Sequence, residues 1–331
     1  MSSKNTPPID PNIDPYAYIG IIPKPDGSIT RLPEFIPTCA PSSDQSDPIP
    51  VLSKDIPINQ EKNTWARLYL PRLPESSAAA SPTKLPLIVY YHGGGFILGS
   101  AATLLFQKFI TEIANEVPAV VVSVEYRLAP EHRLPAAYDD CVEALHWIRT
   151  TDEEWLTKHA DFSKCFLLGT SAGGNIVYHV GLRAITCVDH LMPLKIKGLI
   201  LHHPFFGGVE RSQSEIRLVN DKKFPPSLAD LMWDLCLPIG ADRDHEYCNP
   251  MKGIKLKLLE DMKKDGWKFL VTGWDGDMLI DRQIELVSML KERGIEAIGK
   301  FSEGGSHGVE LADDAKANIF YGVLKDFVVS L

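Results

Sequence analysis

None of the six cysteines stands in a C-x-x-C pair: Cys39, Cys141, Cys165, Cys187, Cys236 and Cys248 are scattered along the chain. That spacing excludes a zinc knuckle and a dithiol redox motif, and makes free thiols in a reducing, cytoplasmic compartment the expectation. Dense Lys/Arg runs are also missing, and the net charge is -9. Such a chain repels phosphates, which argues against nucleic acid and membrane surfaces as partners and favours a neutral small molecule. No stretch approaches the roughly 18 uninterrupted apolar residues of a membrane span. The opening residues, Met1 to Asp10, lack the basic start and apolar core of a secretory signal. No internal repeat is visible.

What is present is enough apolar material for a large core: 44% of the 331 residues are hydrophobic and 23% are charged, a balance that offsets ordering entropy. The first sixty residues are rich in Pro, Asp and Ser, with no periodicity over Pro37 to Pro50, so loops with short helical pieces are expected there. From Trp65 onward, short apolar runs alternate with longer amphipathic ones, as strands joined by helices would. The candidate strands are Trp65 to Leu70, Leu87 to Tyr91, Ala119 to Val124, Phe166 to Leu168, Ile196 to Leu201 and Phe269 to Thr272. Continuous apolar runs of this kind fit a mainly parallel sheet covered on both faces. Helices are expected over Tyr138 to Ile148 and Asp313 to Val329, the latter with a sheet-facing stripe of Ile319, Phe320, Val323, Leu324 and Phe327. Ser76 to Thr83 reads as a low-complexity surface hairpin. The stretch Phe205 to Asn249 breaks the alternation with Gly207-Gly208, Pro225-Pro226 and an apolar helical piece, Leu228 to Leu237, carrying Trp233. The expectation is therefore one domain over 1–331, with a catalytic core at about 60–204 and 250–331 and a cap from about 1–40 and 205–249.

Gly169-Thr170-Ser171-Ala172-Gly173 is a G-x-S-x-G element. By chance alone the pattern arises in roughly one chain of this length in ten, so its setting decides. It follows an apolar strand and precedes a helical run through Ile176, Val177 and Val180, which puts Ser171 on a strand-to-helix turn beside a helix N-terminus. His92-Gly93-Gly94-Gly95 follows another strand, and its glycines free backbone N–H groups to bind an oxyanion together with the N–H of Ala172. A nucleophilic serine needs a base. His307, in the loop Gly304 to Gly308 before the last helix, is the strongest candidate among ten histidines. His92 belongs to the glycine loop and reads as structural. The pair His202-His203 ends a strand and faces a pocket, but no third ligand stands at sensible spacing, so no metal or other cofactor is expected. For the orienting acid, Asp281 begins an amphipathic run and reads as a helix cap, leaving Asp275 and Asp277.

At this point the residues resemble the plant carboxylesterases of the hormone-sensitive-lipase group, within the α/β-hydrolase superfamily. The resemblance covers most of the chain. It rests on His92 to Phe96, Val124 to Glu131 with Leu134 to Asp140, the serine element, and Asn249-Pro250. It implies an α/β-hydrolase fold, a mainly parallel sheet flanked by helices beneath a helical cap. In that family the acid lies in a Gly-Asp-x-x-x-Asp element, which maps onto Gly276 to Asp281 and selects Asp277; the base maps onto His307, and the oxyanion donors onto Gly94, Gly95 and Ala172. Arg127 and Glu131 are then buried structural partners rather than acid/base groups. Two positions depart from the family's pattern: Thr170, where an acid is common, and Met278, where Pro is common. The expected function is hydrolysis of small-acyl esters of a hydrophobic alcohol, in a pocket lined by Phe96, Phe205, Phe206 and Trp233. A monomer or weak homo-oligomer is expected. Similar proteins include gibberellin receptors, whose catalytic histidine is replaced, and hydroxyisoflavanone dehydratases, some with a threonine nucleophile. A lyase or cyclase and a hormone-binding protein are thus the alternatives, against which stand the retained His307 and Ser171.

Overall fold

The apolar runs become strands because each is sandwiched between helices. A computed structural model describes residues 14–44, 46, 48–72 and 84–331. In chain order, α1 (Pro15–Tyr18) leads to a hairpin of β1 (Ile21–Pro23) and β2 (Ile29–Arg31), then β3 (Val51–Asn59), β4 (Thr64–Pro71) and β5 (Leu85–Tyr91). There follow α2 (Leu104–Glu116), β6 (Val120–Glu125), α3 (Ala136–Thr150), α4 (Glu154–His159), β7 (Ala160–Thr170), α5 (Ala172–Ala184), α6 (Val188–Leu191) and β8 (Ile196–His202). The chain ends with α7 (Gln213–Arg217), α8 (Pro226–Cys236), α9 (Leu256–Lys264), β9 (Lys268–Gly276), α10 (Ile280–Glu292), β10 (Ala297–Ser306) and α11 (Asp314–Val329).

Eight strands form one sheet in the order β10-β9-β8-β7-β5-β6-β4-β3. β5 to β10 run parallel, and β4 pairs antiparallel with β3 and β6. The pleat splits β5 between two cores: Leu87, Val89 and Tyr91 join the larger one with α3 and α5, while Ile88 and Tyr90 join Phe109 and Ile113 of α2 and Phe320 and Leu324 of α11. All the functional loops described below leave the C-terminal ends of parallel strands, where such sheets gather their ligands.

Three expectations need correction. β3 lies in the stretch read as loop, since its Lys54, Asp55 and Pro57 do not look like a strand. β3 pairs only with β4, so it is an edge, and charge and proline are tolerated there. In α11, Ile319 is exposed rather than part of the apolar stripe, and Ala317, Tyr321 and Val328 take its place against the sheet. Asp281 does not cap its own helix. Its Oδ2 instead accepts from Ser214 N of α7 at 2.7 Å. The reading of Ser76 to Thr83 lies outside the described residues, as does the arm before residue 14. Among the described residues no helix is long and apolar enough to cross a membrane.

The segments expected to form a cap meet over the strand ends. Tyr18 of α1 donates to the carbonyls of Lys222 and Lys223, just before α8. The far end of α8 is held by Leu134 N, which donates to Cys236 O at 2.8 Å, and by Arg133, which donates to Leu237 O at 2.8 Å.

Candidate active site

Ser171 is forced into position by its neighbours. It has φ 56 and ψ -115, a left-handed conformation that a non-glycine residue holds only when its surroundings over-determine it. They do so here. Ser171 N donates to His202 O at 2.9 Å, and Ser171 O accepts from Asn175 N at 3.1 Å and Phe205 N at 2.9 Å. Two residues on, a Cβ at Gly173 would collide with the Tyr91 carbonyl, so glycine is required for α5 to pack against β5. The Thr170 hydroxyl accepts from the buried Tyr90 hydroxyl at 3.1 Å, so this position is filled by a satisfied neutral pair.

Three distant segments converge on the serine. His307 Nε2 lies 2.9 Å from Ser171 Oγ, and His307 Nδ1 lies 2.8 Å from Asp277 Oδ2. With Nδ1 donating to the carboxylate, Nε2 is left to accept from the hydroxyl. Asp277 is buried, and it also accepts from Leu279 N at 2.9 Å and from Gln283 Nε2 at 3.1 Å. Asp275 plays a separate part. Its Oδ1 accepts from Gly304 N at 2.8 Å, tying β9 to the strand that leads into the histidine loop. Met278 sits in the turn between, and its carbonyl accepts from Ser214 Oγ at 2.6 Å.

The glycine loop lies against the serine turn. Gly94 and Gly95 have φ of 115 and 61, and Gly94 O turns back to accept from Ile97 N at 3.1 Å and Leu98 N at 2.9 Å. Ala172 opens α5, where the first amides have no partner within the helix. Behind the loop, His92 is fully buried, stacks on Tyr126 with ring centroids 4.2 Å apart, and bonds through Nδ1 to Gly93 O at 2.8 Å. Burial pushes the His92 imidazole down to about 4 despite that bond, so it serves as a neutral prop. Nearby Glu125 accepts from Ala101 N at 2.6 Å and Ser100 Oγ at 2.9 Å, yet burial pushes its carboxyl up to about 7.

Aromatic side chains close the site. Phe205 stacks on Trp233 at 4.4 Å, and Phe96 packs on both at 6.4 and 5.8 Å. Phe206 points elsewhere, edge-on to Tyr178. All four are almost fully buried. Two side chains that sequence reasoning missed lie closer to the relay. Phe224 stacks flat on His307 with centroids 4.5 Å apart, and Met232 Sδ occupies the space where a Cβ on Gly95 would go. Only three-dimensional packing reveals them. Ser171 itself is 8% exposed in this closed arrangement.

A second buried cluster adjoins the relay. The His203 ring lies edge-on to His307 at 4.5 Å, and Glu310 Oε1 lies 3.2 Å from His202 Nε2. His202 Nδ1 is 2.6 Å from Thr272 Oγ1, and Trp274 Nε1 donates to Glu310. Burial drives the His203 imidazole well below its ordinary range. Burial works to raise the Glu310 carboxyl, but the two rings and the indole N–H hold it well below the usual carboxylate value. Glu310 is the third potential metal ligand that spacing could not reveal; His202, His203 and Glu310 bring ligand atoms within 4.8 Å of one another, as do His203, Asp277 and His307. The expectation that Arg127 and Glu131 are buried structural partners needs correction: Arg127 is half-buried, Glu131 is exposed, and the two do not pair with each other. Arg127 pairs with buried Asp140 at 2.8 Å, and Glu131 with Arg31 at 2.8 Å.

The chain is similar to proteins of one family. A family model described as alpha/beta hydrolase fold matches residues 88–311. Carboxylesterase 20 of Arabidopsis thaliana is 52% identical over 97% of this chain and 98% of its own length. The 3-O-acetylpapaveroxine carboxylesterase CXE1 of Papaver somniferum is 42% identical over 96% of this chain and 98% of its own. Among solved structures, an esterase of Pyrobaculum calidifontis superposes with a TM-score of 0.67 at 27% identity, covering 85% of each chain.

Proposed function

Because this chain belongs to the alpha/beta hydrolase fold family and is a serine carboxylesterase, we propose that it cleaves small-acyl esters of a hydrophobic alcohol through Ser171, His307 and Asp277. The observation that carries the assignment of roles is the continuous relay from Ser171 Oγ through both nitrogens of His307 to Asp277. His307 takes the hydroxyl proton as Ser171 Oγ attacks the ester carbonyl. The resulting oxyanion is held by the N–H groups of Gly94, Gly95 and Ala172, and the imidazolium by Asp277. His307 then protonates the departing alcohol, and water, activated by the same ring, releases the acid from Ser171.

Small acyl groups follow from the crowding of the glycine loop by Met232, and a hydrophobic alcohol from the apolar surround of Phe96, Phe205, Trp233 and Phe224. Phe206, edge-on to Tyr178, is left out of that surround. The acetyl ester in the name of the Papaver relative is consistent with this class. In this reading the described parts of 14–40 and the segment 205–249 act as the cap, and six cysteines without disulfides support a cytoplasmic setting. Receptor-like binding and lyase chemistry are not favoured, since binding needs no catalytic imidazole and elimination needs a base but no serine hydroxyl hydrogen-bonded to it.

Incubation with p-nitrophenyl acetate and with an organophosphate tests the assignment. The expected results are burst-phase ester turnover and one covalent adduct on Ser171 by peptide mass. Turnover without an adduct on Ser171 rejects the roles given to the relay.

A further inference from the structure

We propose that Arg31 is a positioning residue for the oxyanion loop, so that the N-terminal hairpin sets the rate of the chemical step. The inference rests on the reading of Gly94 and Gly95 as oxyanion donors. Arg31 lies at the end of β2, remote from the strand ends in sequence, yet its guanidinium is spent on the leg of chain that follows the glycines. Nε donates to Ile97 O at 2.6 Å, and Nη2 donates to Ala129 O at 2.6 Å. Nη1 and Nη2 also bind the two oxygens of Glu131, at 3.1 and 2.8 Å.

These contacts close a ring around the loop. Gly94 O accepts from Ile97 N and Leu98 N, which fixes the peptide plane that carries the Gly95 amide, and Ala129 N donates to Phe96 O at 2.9 Å. Phe96 lies within that ring at φ 65, a conformation that a side-chain-bearing residue abandons unless it is held. Arg31 grips the residue after Phe96 and the residue bonded to Phe96 in one plane. An exposed ion pair with Glu131 contributes little alone, but charge-assisted bonds to two carbonyls fix direction as well as distance. A lysine carries the charge but not the fork. Through Tyr18, the same arm holds Lys222 and Lys223 beside Phe224, so one segment braces both flanks of the catalytic centre.

The experiment compares Arg31→Met and Arg31→Lys with the natural enzyme. It measures kcat and KM for p-nitrophenyl acetate per organophosphate-titrated Ser171, inhibition by a trifluoromethyl ketone that mimics the oxyanion, and thermal midpoint. Misplacing a catalytic group by about 1 Å costs about 100-fold, so Arg31→Met is expected to lose about that in kcat with KM within about threefold. Its affinity for the ketone should fall in parallel. Arg31→Lys, which keeps charge and most packing, is expected to lose about tenfold and carries the test if the methionine variant does not fold. A purely structural residue would lower the thermal midpoint and the yield of titratable sites while leaving kcat per site and ketone affinity unchanged, and that pattern overturns the inference. Failure of the natural enzyme to label Ser171 would instead strike the functional assignment beneath it.

Discussion

Asp275 and Asp277 are separated by one residue, follow the same strand and fit the same chain order, yet they do different work. The first ties down Gly304 N, and the second meets His307 Nδ1 from a buried site fed by Leu279 N and Gln283. Asp277→Asn would present an amide that favours the wrong imidazole tautomer, so kcat is expected to fall about 10⁴-fold with folding intact. Asp275→Asn keeps an oxygen for Gly304 N and is expected to lose less than about tenfold. Steady-state kinetics on both variants check the pair, and equal losses would contradict the division of labour. The sequence singled out Ser171 and His307, which the fold brings within 2.9 Å of each other, because each stands where a strand gives way to a glycine-bearing turn. Residue chemistry alone left the acid open, and only the family pattern chose between the two aspartates. Phe224, Met232 and Glu310 were invisible for another reason: their roles come from contacts between segments far apart in the chain, which no local spacing encodes.

At the scale of elements, the glycine loop and α8 are fitted to each other. A side chain at position 95 would have to adopt φ 61 and displace Met232 Sδ. Gly95→Ala is therefore expected to lose at least about 100-fold in kcat, the effect of losing one oxyanion donor. Adding Met232→Ala should restore part of that loss by removing the collision, leaving the backbone strain of about 1–2 kcal/mol uncorrected. Rates of the single and double variants on p-nitrophenyl acetate decide this, and an unrecovered double variant would show that Met232 is not the obstacle. The elements legible in sequence were the continuous apolar runs, such as β5 and β6, and the helices with a clear apolar face, such as α3. β3 was not, because Lys54, Asp55 and Pro57 suit an unpaired sheet margin rather than an interior strand. The β1–β2 hairpin was also missed, since each strand is only three residues long and carries no readable alternation.

For the molecule as a whole, buried titratable groups set the response to acid. In the unfolded chain, histidines take up protons near 6.5. In the fold, burial pushes His92 down to about 4, burial together with Arg183 pushes His179 down to about 3, and His203 is driven well below its ordinary range. As pH falls through 6.5, unfolding therefore binds protons that the fold refuses, and stability drops. Glu125 works in the opposite sense: with its carboxyl pushed up to about 7, the fold holds a proton that the unfolded carboxylate has lost, so this group favours the fold as pH falls toward its unfolded value. Three histidines against one glutamate leave a net uptake of protons on unfolding between about pH 5 and 6, and the depressed Glu310 carboxyl adds to it at the acid end, so stability falls on acidification. Urea midpoints across that range measure it, and stability that rises on acidification would refute it. The overall architecture was readable early because alternating strands and helices admit few arrangements, whereas the closure over the centre depends on loops. Phe224 lying flat on the imidazole carries a consequence for chemical probing. One face of the base is covered by an aromatic ring and the serine is almost fully enclosed, so reagents that titrate the serine should be ranked by how slim they are before they are ranked by how electrophilic they are.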